Sequence, residues 1–446
     1  MRVRGLRAEY AAGRLRPREL VEEVLRRIEA RGDDSVWISR FDAAALLRRA
    51  AELEARYGAG PLPPLYGIPF AVKDNIDVAG LPTTAACPAF AYRPGFDAGS
   101  VRRLLDAGAI VVGKTNLDQF ATGLTGTRSP YGACESVFGG DLVSGGSSSG
   151  SAVAVAAGLV PFALGTDTAG SGRVPAAMNG IVGLKPTRGL VSTSGVVAAC
   201  RSLDCVSVFS SSVADADTVL DVLAGPDPDD PWSRTAPDSR APTTASFRLA
   251  VAAKGELDFE QDTAVATAYL RAEGRAVARA ANGGAVHHTP LGPLVEAGNL
   301  LYGPWVAERL SGLEGFLATH PDEVLPVIRA VVERGADYSG TDAFRAIHRL
   351  RELRAWCDRL WQHADALVLP TVPTTFTRAQ IAEQPTARNL VLGRYTQFAN
   401  LLDLSVVAVP AGMTEDGRPV GLSLIGPAFA DHRLLQIAHR IQEAQG

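Results

Sequence analysis

The chain has 446 residues, 46% of them hydrophobic, enough to bury a large core, and length alone allows two or three domains. Its 44 basic and 48 acidic residues leave a net charge of -4, with no single-sign field that would draw nucleic acid or an anionic membrane. No apolar run approaches the roughly 20 residues a bilayer requires, and the start Met1-Arg2-Val3-Arg4-Gly5 leads into a charged segment, so the cytoplasm is the expected compartment.

In chain order, Pro17 followed by Leu20, Val21, Val24, Leu25 and Ile28 predicts an amphipathic helix with proline near its first turn. Short apolar runs at 69–72, 109–112, 366–369, 405–409 and 420–425 predict strands buried on both faces, and 247–252 a further strand. Helical patterns lie between them at 100–107, 151–157, 214–224, 263–280, 342–362 and 432–442. The alternation gives an α/β class. Residues 225–246, dense in Pro, Asp, Ser and Thr, predict an irregular connection. Because apolar patterns resume over 247–446, residues 1–446 read as one large layered domain with an excursion, without internal repeats.

Cys87, Cys134, Cys200, Cys205 and Cys357 form no CxxC pair and are odd in number, which argues against a disulfide framework and a zinc site; no metal or other cofactor is expected. They read as buried thiols, Cys134 and Cys205 lacking a histidine nearby in sequence to activate them.

Three residues carry the chemistry. Lys73 ends the apolar run 69–72, where desolvation disfavours an ammonium and lets the amine accept a proton. Ser147 lies in Gly145-Gly146-Ser147-Ser148-Ser149-Gly150, and Ser171 in Asp167-Thr168-Ala169-Gly170-Ser171-Gly172-Arg173. A hydroxyl needs a base to become a nucleophile, and every histidine lies far downstream, so lysine is the candidate. The small residues around Ser171 leave consecutive backbone N–H groups, those of Thr168, Ala169, Gly170 and Ser171, free to hold an oxyanion. The competing assignment for Lys73 is an ion pair with Asp74 or Asp77.

Two motif matches lead elsewhere. Residues 108–115, ending Gly113-Lys114-Thr115, fit GxxxxGK[ST], but the stretch between the glycines is itself a strand pattern, which is the wrong context for a phosphate-binding loop. Gly146-Ser147-Ser148-Ser149-Gly150 fits GxSxG and would make Ser148 a nucleophile needing a downstream histidine. His432 and His439 sit in a terminal helical pattern and His287 and His288 in an irregular stretch, so all four read as solvated or packed. A flexible linker at 145–151 is disfavoured by the apolar residues directly after it.

With these segments and Gly183-Leu184-Lys185-Pro186-Thr187-Arg188-Gly189, the chain closely resembles the amidase signature family from about residue 20 onward. The resemblance implies an α/β/α layered fold, a large mixed central sheet covered by helices, with a signature core at about 60–210. It assigns Ser171 as nucleophile, Ser147 as a bridging serine on a cis peptide after Gly146, and Lys73 as general base.

Within the family, the segments 123–134, 196–208 and 301–309 most resemble allophanate hydrolases. That likeness implies a small anionic amide, allophanate, as substrate, bound by Tyr302, Arg309 and Gly123, and places the chain in urea or related nitrogen breakdown. Arg309 could grip the carboxylate at two points while Tyr302 donates a hydrogen bond. The alternative for Arg309 is a solvated helix face beside Glu308. This chain is one residue shorter than usual between Tyr302 and Gly303-Pro304-Trp305, Ala198 replaces a common proline, and the small additional C-terminal domain of full-length relatives is absent from the sequence. A homodimer is the candidate assembly. The rival functions are a broader amidase or amidotransferase-type glutaminase and, from another class, a P-loop nucleotide-binding protein.

Overall fold

A computed structural model describes residues 1–58, 60–237, 246–280 and 286–442. Eleven strands form its single described sheet: β1 (Trp37–Arg40), β2 (Pro69–Lys73), β3 (Ile110–Thr115), β4 (Phe162–Asp167), β5 (Val182–Lys185), β6 (Cys205–Ser210), β7 (Leu249–Ala252), β8 (His287–Thr289), β9 (Ala366–Pro370), β10 (Ser405–Met413) and β11 (Pro419–Gly426). Their order across the sheet is β1-β3-β2-β4-β6-β5-β10-β11-β9-β7-β8. β2 runs parallel to β3 and β4, and β7 parallel to β8 and β9. The remaining pairs are antiparallel, so the sheet is mixed, and strands from both sides of the 225–246 connection enter it. Residues 238–245 of that connection lie outside the described residues.

The apolar runs lack polar alternation because both sheet faces are covered. Along β7 and β9, Leu249, Val251, Ala366 and Val368 enter one core, with the helices Pro17–Arg31, Val213–Leu223 and Asp431–Gln442. Their neighbours Ala250, Ala252, Leu367 and Leu369 point the other way, into a core shared with the helices Gly292–Asn299 and Gly340–Leu360. Successive side chains of a strand face opposite sides, so two apolar layers demand an unbroken apolar run.

The predicted helices and strands are present within a few residues of their expected bounds. His287 and His288 differ: they begin the edge strand β8, paired with Ala250 and Val251, where the sequence reads as irregular. Three polar residues in a three-residue strand give no apolar periodicity to recognise. All five cysteines are free and buried, and burial pushes the Cys134 thiol up to about 12, far from a reactive thiolate.

The 108–115 segment is no phosphate loop. Gly113 and Lys114 lie inside β3, paired with Ala71 and Val72, and the Lys114 amine is spent 3.2 Å from Asp74 Oδ1 with both side chains fully buried. Lys114→Ala leaves that carboxylate without its cation and is expected to cost about 3–5 kcal/mol of stability, read from the midpoint of chemical denaturation.

Candidate active site

Parallel pairing of β2 with β4 sets Lys73 beside Thr166 at the same end of the sheet. Lys73 Nζ donates to Thr166 Oγ1 at 2.8 Å and to Ser147 Oγ at 2.7 Å. Ser147 arrives on the turn before the helix Ser149–Ala156, and the Gly146–Ser147 peptide is cis. Asp74, the rival partner of Lys73, is paired with Lys114, while Asp77 accepts from Thr83 and Tyr92. Complete burial lowers the Lys73 amine to about 7, even though Asp118, Asp204 and Asp167 pull it back upward.

These carboxylates are each committed. Asp118 accepts the backbone N–H groups of Gly126 and Arg128 at 3.1 and 2.9 Å. Asp167 binds Arg173 through both oxygens, at 2.8 and 2.9 Å, with both residues fully buried. Burial is the largest single influence and alone would raise the Asp167 carboxyl, but the Arg173 charge and hydrogen bond, the Lys185 charge and the Gly172 amide together hold the group below the usual range.

The turn from Thr168 to Gly172 wraps this ion pair. Gly170 N–H donates to Asp167 Oδ1 and Gly172 N–H to Oδ2, both at 3.0 Å. Of the four N–H groups expected to face an oxyanion, that of Gly170 is therefore already engaged. Among the described residues those of Thr168, Ala169 and Ser171 form no hydrogen bond. Thr168 Oγ1 in turn donates to Asp204, whose carboxylate also accepts from Ala199 N at 2.8 Å; burial pushes this carboxyl up to about 6.

Ser171 is 2% exposed, and its hydroxyl donates to the Gly123 carbonyl at 3.4 Å rather than to Ser147. Gly123 has φ +156°, and a Cβ there would stand 2.6 Å from Asp118 Oδ2, so both the conformation and the space call for glycine. The adjacent Thr122 accepts from Arg309 Nη1 at 3.2 Å. One dipeptide thus touches both the serine and the arginine.

Arg309 is 3% exposed, not solvated: its guanidinium carbon lies 5.8 Å from the Tyr302 ring centroid and its Nε has no partner among the described residues. Glu308 faces elsewhere, accepting from the Ser202 backbone and hydroxyl at 2.7 and 2.6 Å. An orphaned buried N–H on a charged group costs about 1–3 kcal/mol, which a carboxylate would recover.

Ser148, the GxSxG serine, donates to the Thr166 carbonyl at 3.1 Å, and no described hydrogen bond brings a histidine to it. His432 instead pairs with Asp217 at 2.9 Å. Sequence reasoning missed Thr166, Thr122 and Asp204. Thr166 carries the one hydroxyl in the run Phe162-Ala163-Leu164-Gly165-Thr166-Asp167, a signal in itself, since a buried hydroxyl requires a partner.

Comparison with known proteins gives the family and the fold. The sequence pattern of the family described as Amidase matches residues 19–435. Urea amidolyase of Saccharomyces cerevisiae is 45% identical over 411 residues, which cover 91% of this chain but 22% of that protein. The A-type subunit of glutamyl-tRNA(Gln) amidotransferase from Symbiobacterium thermophilum is 38% identical, covering 97% of this chain and 94% of that protein. A solved structure of Kluyveromyces lactis allophanate hydrolase is 40% identical with a TM-score of 0.92, over 99% of this chain and 72% of the other. With a family match across nearly its whole length, a mixed sheet under two helical layers and a buried lysine facing a serine, the chain belongs to the amidase family.

Proposed function

We propose that the protein hydrolyses the terminal C–N bond of allophanate through Ser171, Ser147 and Lys73. The observation that carries the chemistry is the 2.7 Å contact between Ser147 Oγ and a lysine whose burial lowers its pKa to about 7. Neutral Lys73 takes the proton of Ser147, and Ser147 takes that of Ser171 as Ser171 Oγ bonds to the amide carbonyl carbon. Ser171 must first rotate from the Gly123 carbonyl toward Ser147, a tightening that substrate commonly brings. The N–H groups of Thr168, Ala169 and Ser171 receive the negative oxygen. Ammonia then leaves, taking its proton back through Ser147, and water releases the acyl group from Ser171. The product, a carbamate bearing a second carboxylate, breaks down to carbon dioxide and more ammonia.

The substrate assignment rests on Arg309. A guanidinium buried beside Tyr302 with an unpaired Nε suits a small carboxylate, which neutral amides lack. The high identity to urea amidolyase and to an allophanate hydrolase supports the same reading. The likeness to a glutamyl-tRNA(Gln) amidotransferase keeps glutamine as the rival substrate. Among the described residues no helix is long and apolar enough to cross a membrane, and five free thiols suit the reducing cytoplasm.

Ammonia release from allophanate, glutamine and simple amides tests the assignment: allophanate is expected to give the highest kcat/KM and more than one ammonia per molecule consumed. Ser171→Ala is expected to lower kcat by at least about 10⁴-fold with unchanged thermal stability. Arg309→Ala should raise KM for allophanate by about 10- to 100-fold, the loss of one charged two-point contact, and leave KM for neutral amides nearly unchanged. Because the base acts only when uncharged, kcat/KM should fall about tenfold per pH unit below about pH 7 and level off above it, following the lowered Lys73 pKa.

A further inference from the structure

Outside the catalytic centre lies a cavity of about 770 Å³ in which Arg188, Arg201, Arg234, Arg351 and Arg354 converge. Three acids also line it, and each is committed. Asp403 is shared by Arg188 and Arg234, at 3.2 and 2.9 Å. Glu308 is held by Ser202, and Asp204 by Thr168 and the Ala199 and Cys200 amides. Arg354 spends its guanidinium on the Leu401 carbonyl. Arg201 and Arg351 are exposed and form no hydrogen bond or ion pair among the described residues. Positive charge therefore exceeds negative in a space walled by Trp232 and Trp305.

The cavity adjoins a second one, of about 530 Å³, through the shared residues Arg201, Trp232 and Glu308. Arg309 lines that second space. Two free guanidiniums thus stand outside, and a buried guanidinium with an orphaned N–H stands further in.

We propose that the outer cavity is a binding site for small carboxylate anions, a vestibule in which Arg201 and Arg351 collect the substrate before Arg309 receives it. The inference rests on the anionic-substrate reading above. A cleft with an excess of one charge sign between low-dielectric walls focuses the field and raises the encounter rate of an oppositely charged ligand, an effect that salt suppresses. Neither arginine holds a partner among the described residues, so replacing both leaves the structure intact.

In the double variant Arg201→Gln with Arg351→Gln, kcat/KM for allophanate is expected to fall about tenfold at low salt. Its salt dependence should flatten, kcat should not change, and neutral amides should be unaffected. An unchanged kcat/KM with the wild-type salt dependence overturns the vestibule. A second measurement does not depend on turnover: oxalate titration of Arg309→Ala, whose inner site is gone, should still reveal one weak, salt-sensitive site that the two glutamine substitutions remove. No site in Arg309→Ala, or a site that survives the glutamines, overturns the proposal. Should wild-type protein fail to hydrolyse allophanate while the oxalate pattern holds, the substrate assignment falls and the anion site stands.

Discussion

An amine sealed away from water, with two hydroxyls for company and no carboxylate in contact, is the constraint on which the site depends. Three acids lie near enough to Lys73 to stabilise its charge, yet Asp118 is engaged by backbone amides, Asp167 by Arg173 and Asp204 by Thr168. Had any of them closed directly on Nζ, the ammonium would be favoured and the proposed proton acceptor lost. The fold keeps these charges at a distance by giving each its own partner, which is why the signature contains so many buried polar residues.

The sheet supplies the placement. Lys73 ends β2, Asp167 ends β4, and Lys185 ends β5, so the polar residues crowd one edge while the strands behind them remain apolar. Arg309 comes from a helix on another part of the chain and meets the site through Thr122 and Tyr302. The proposed nucleophile and the proposed carboxylate anchor are thus connected through the peptide between Thr122 and Gly123, and a shift in either end would be felt by the other.

Much of this was legible in the sequence, for a physical reason. Strands covered on both faces must be uniformly apolar, so β2, β3, β9, β10 and β11 announced themselves, as did helices with a single buried stripe. β1, β4, β5, β6 and β8 did not: β1, β5 and β8 are three or four residues long, β5 and β8 carry lysine or histidine where an apolar residue would have given a pattern, and β4 and β6 are interrupted by Thr166, Asp167, Ser207 and Ser210. In the site, Lys73, Ser147 and Ser171 stood out through their glycine-rich surroundings. The direction of Ser171 toward Gly123 depends on a contact between distant segments that no local pattern encodes. Arg309 was recognisable by resemblance, whereas its burial and its unpaired Nε are tertiary facts.

The clamp of Asp167 on Arg173 has one more implication. Its carboxylate fixes the Gly170 and Gly172 amides from inside the turn, so the curvature of that loop is set by an internal charge pair before any ligand arrives. In the proposed mechanism, a cradle shaped in advance needs little reorganisation when charge develops on the reacting oxygen, so its strength would be a property of the folded resting protein rather than of induced fit.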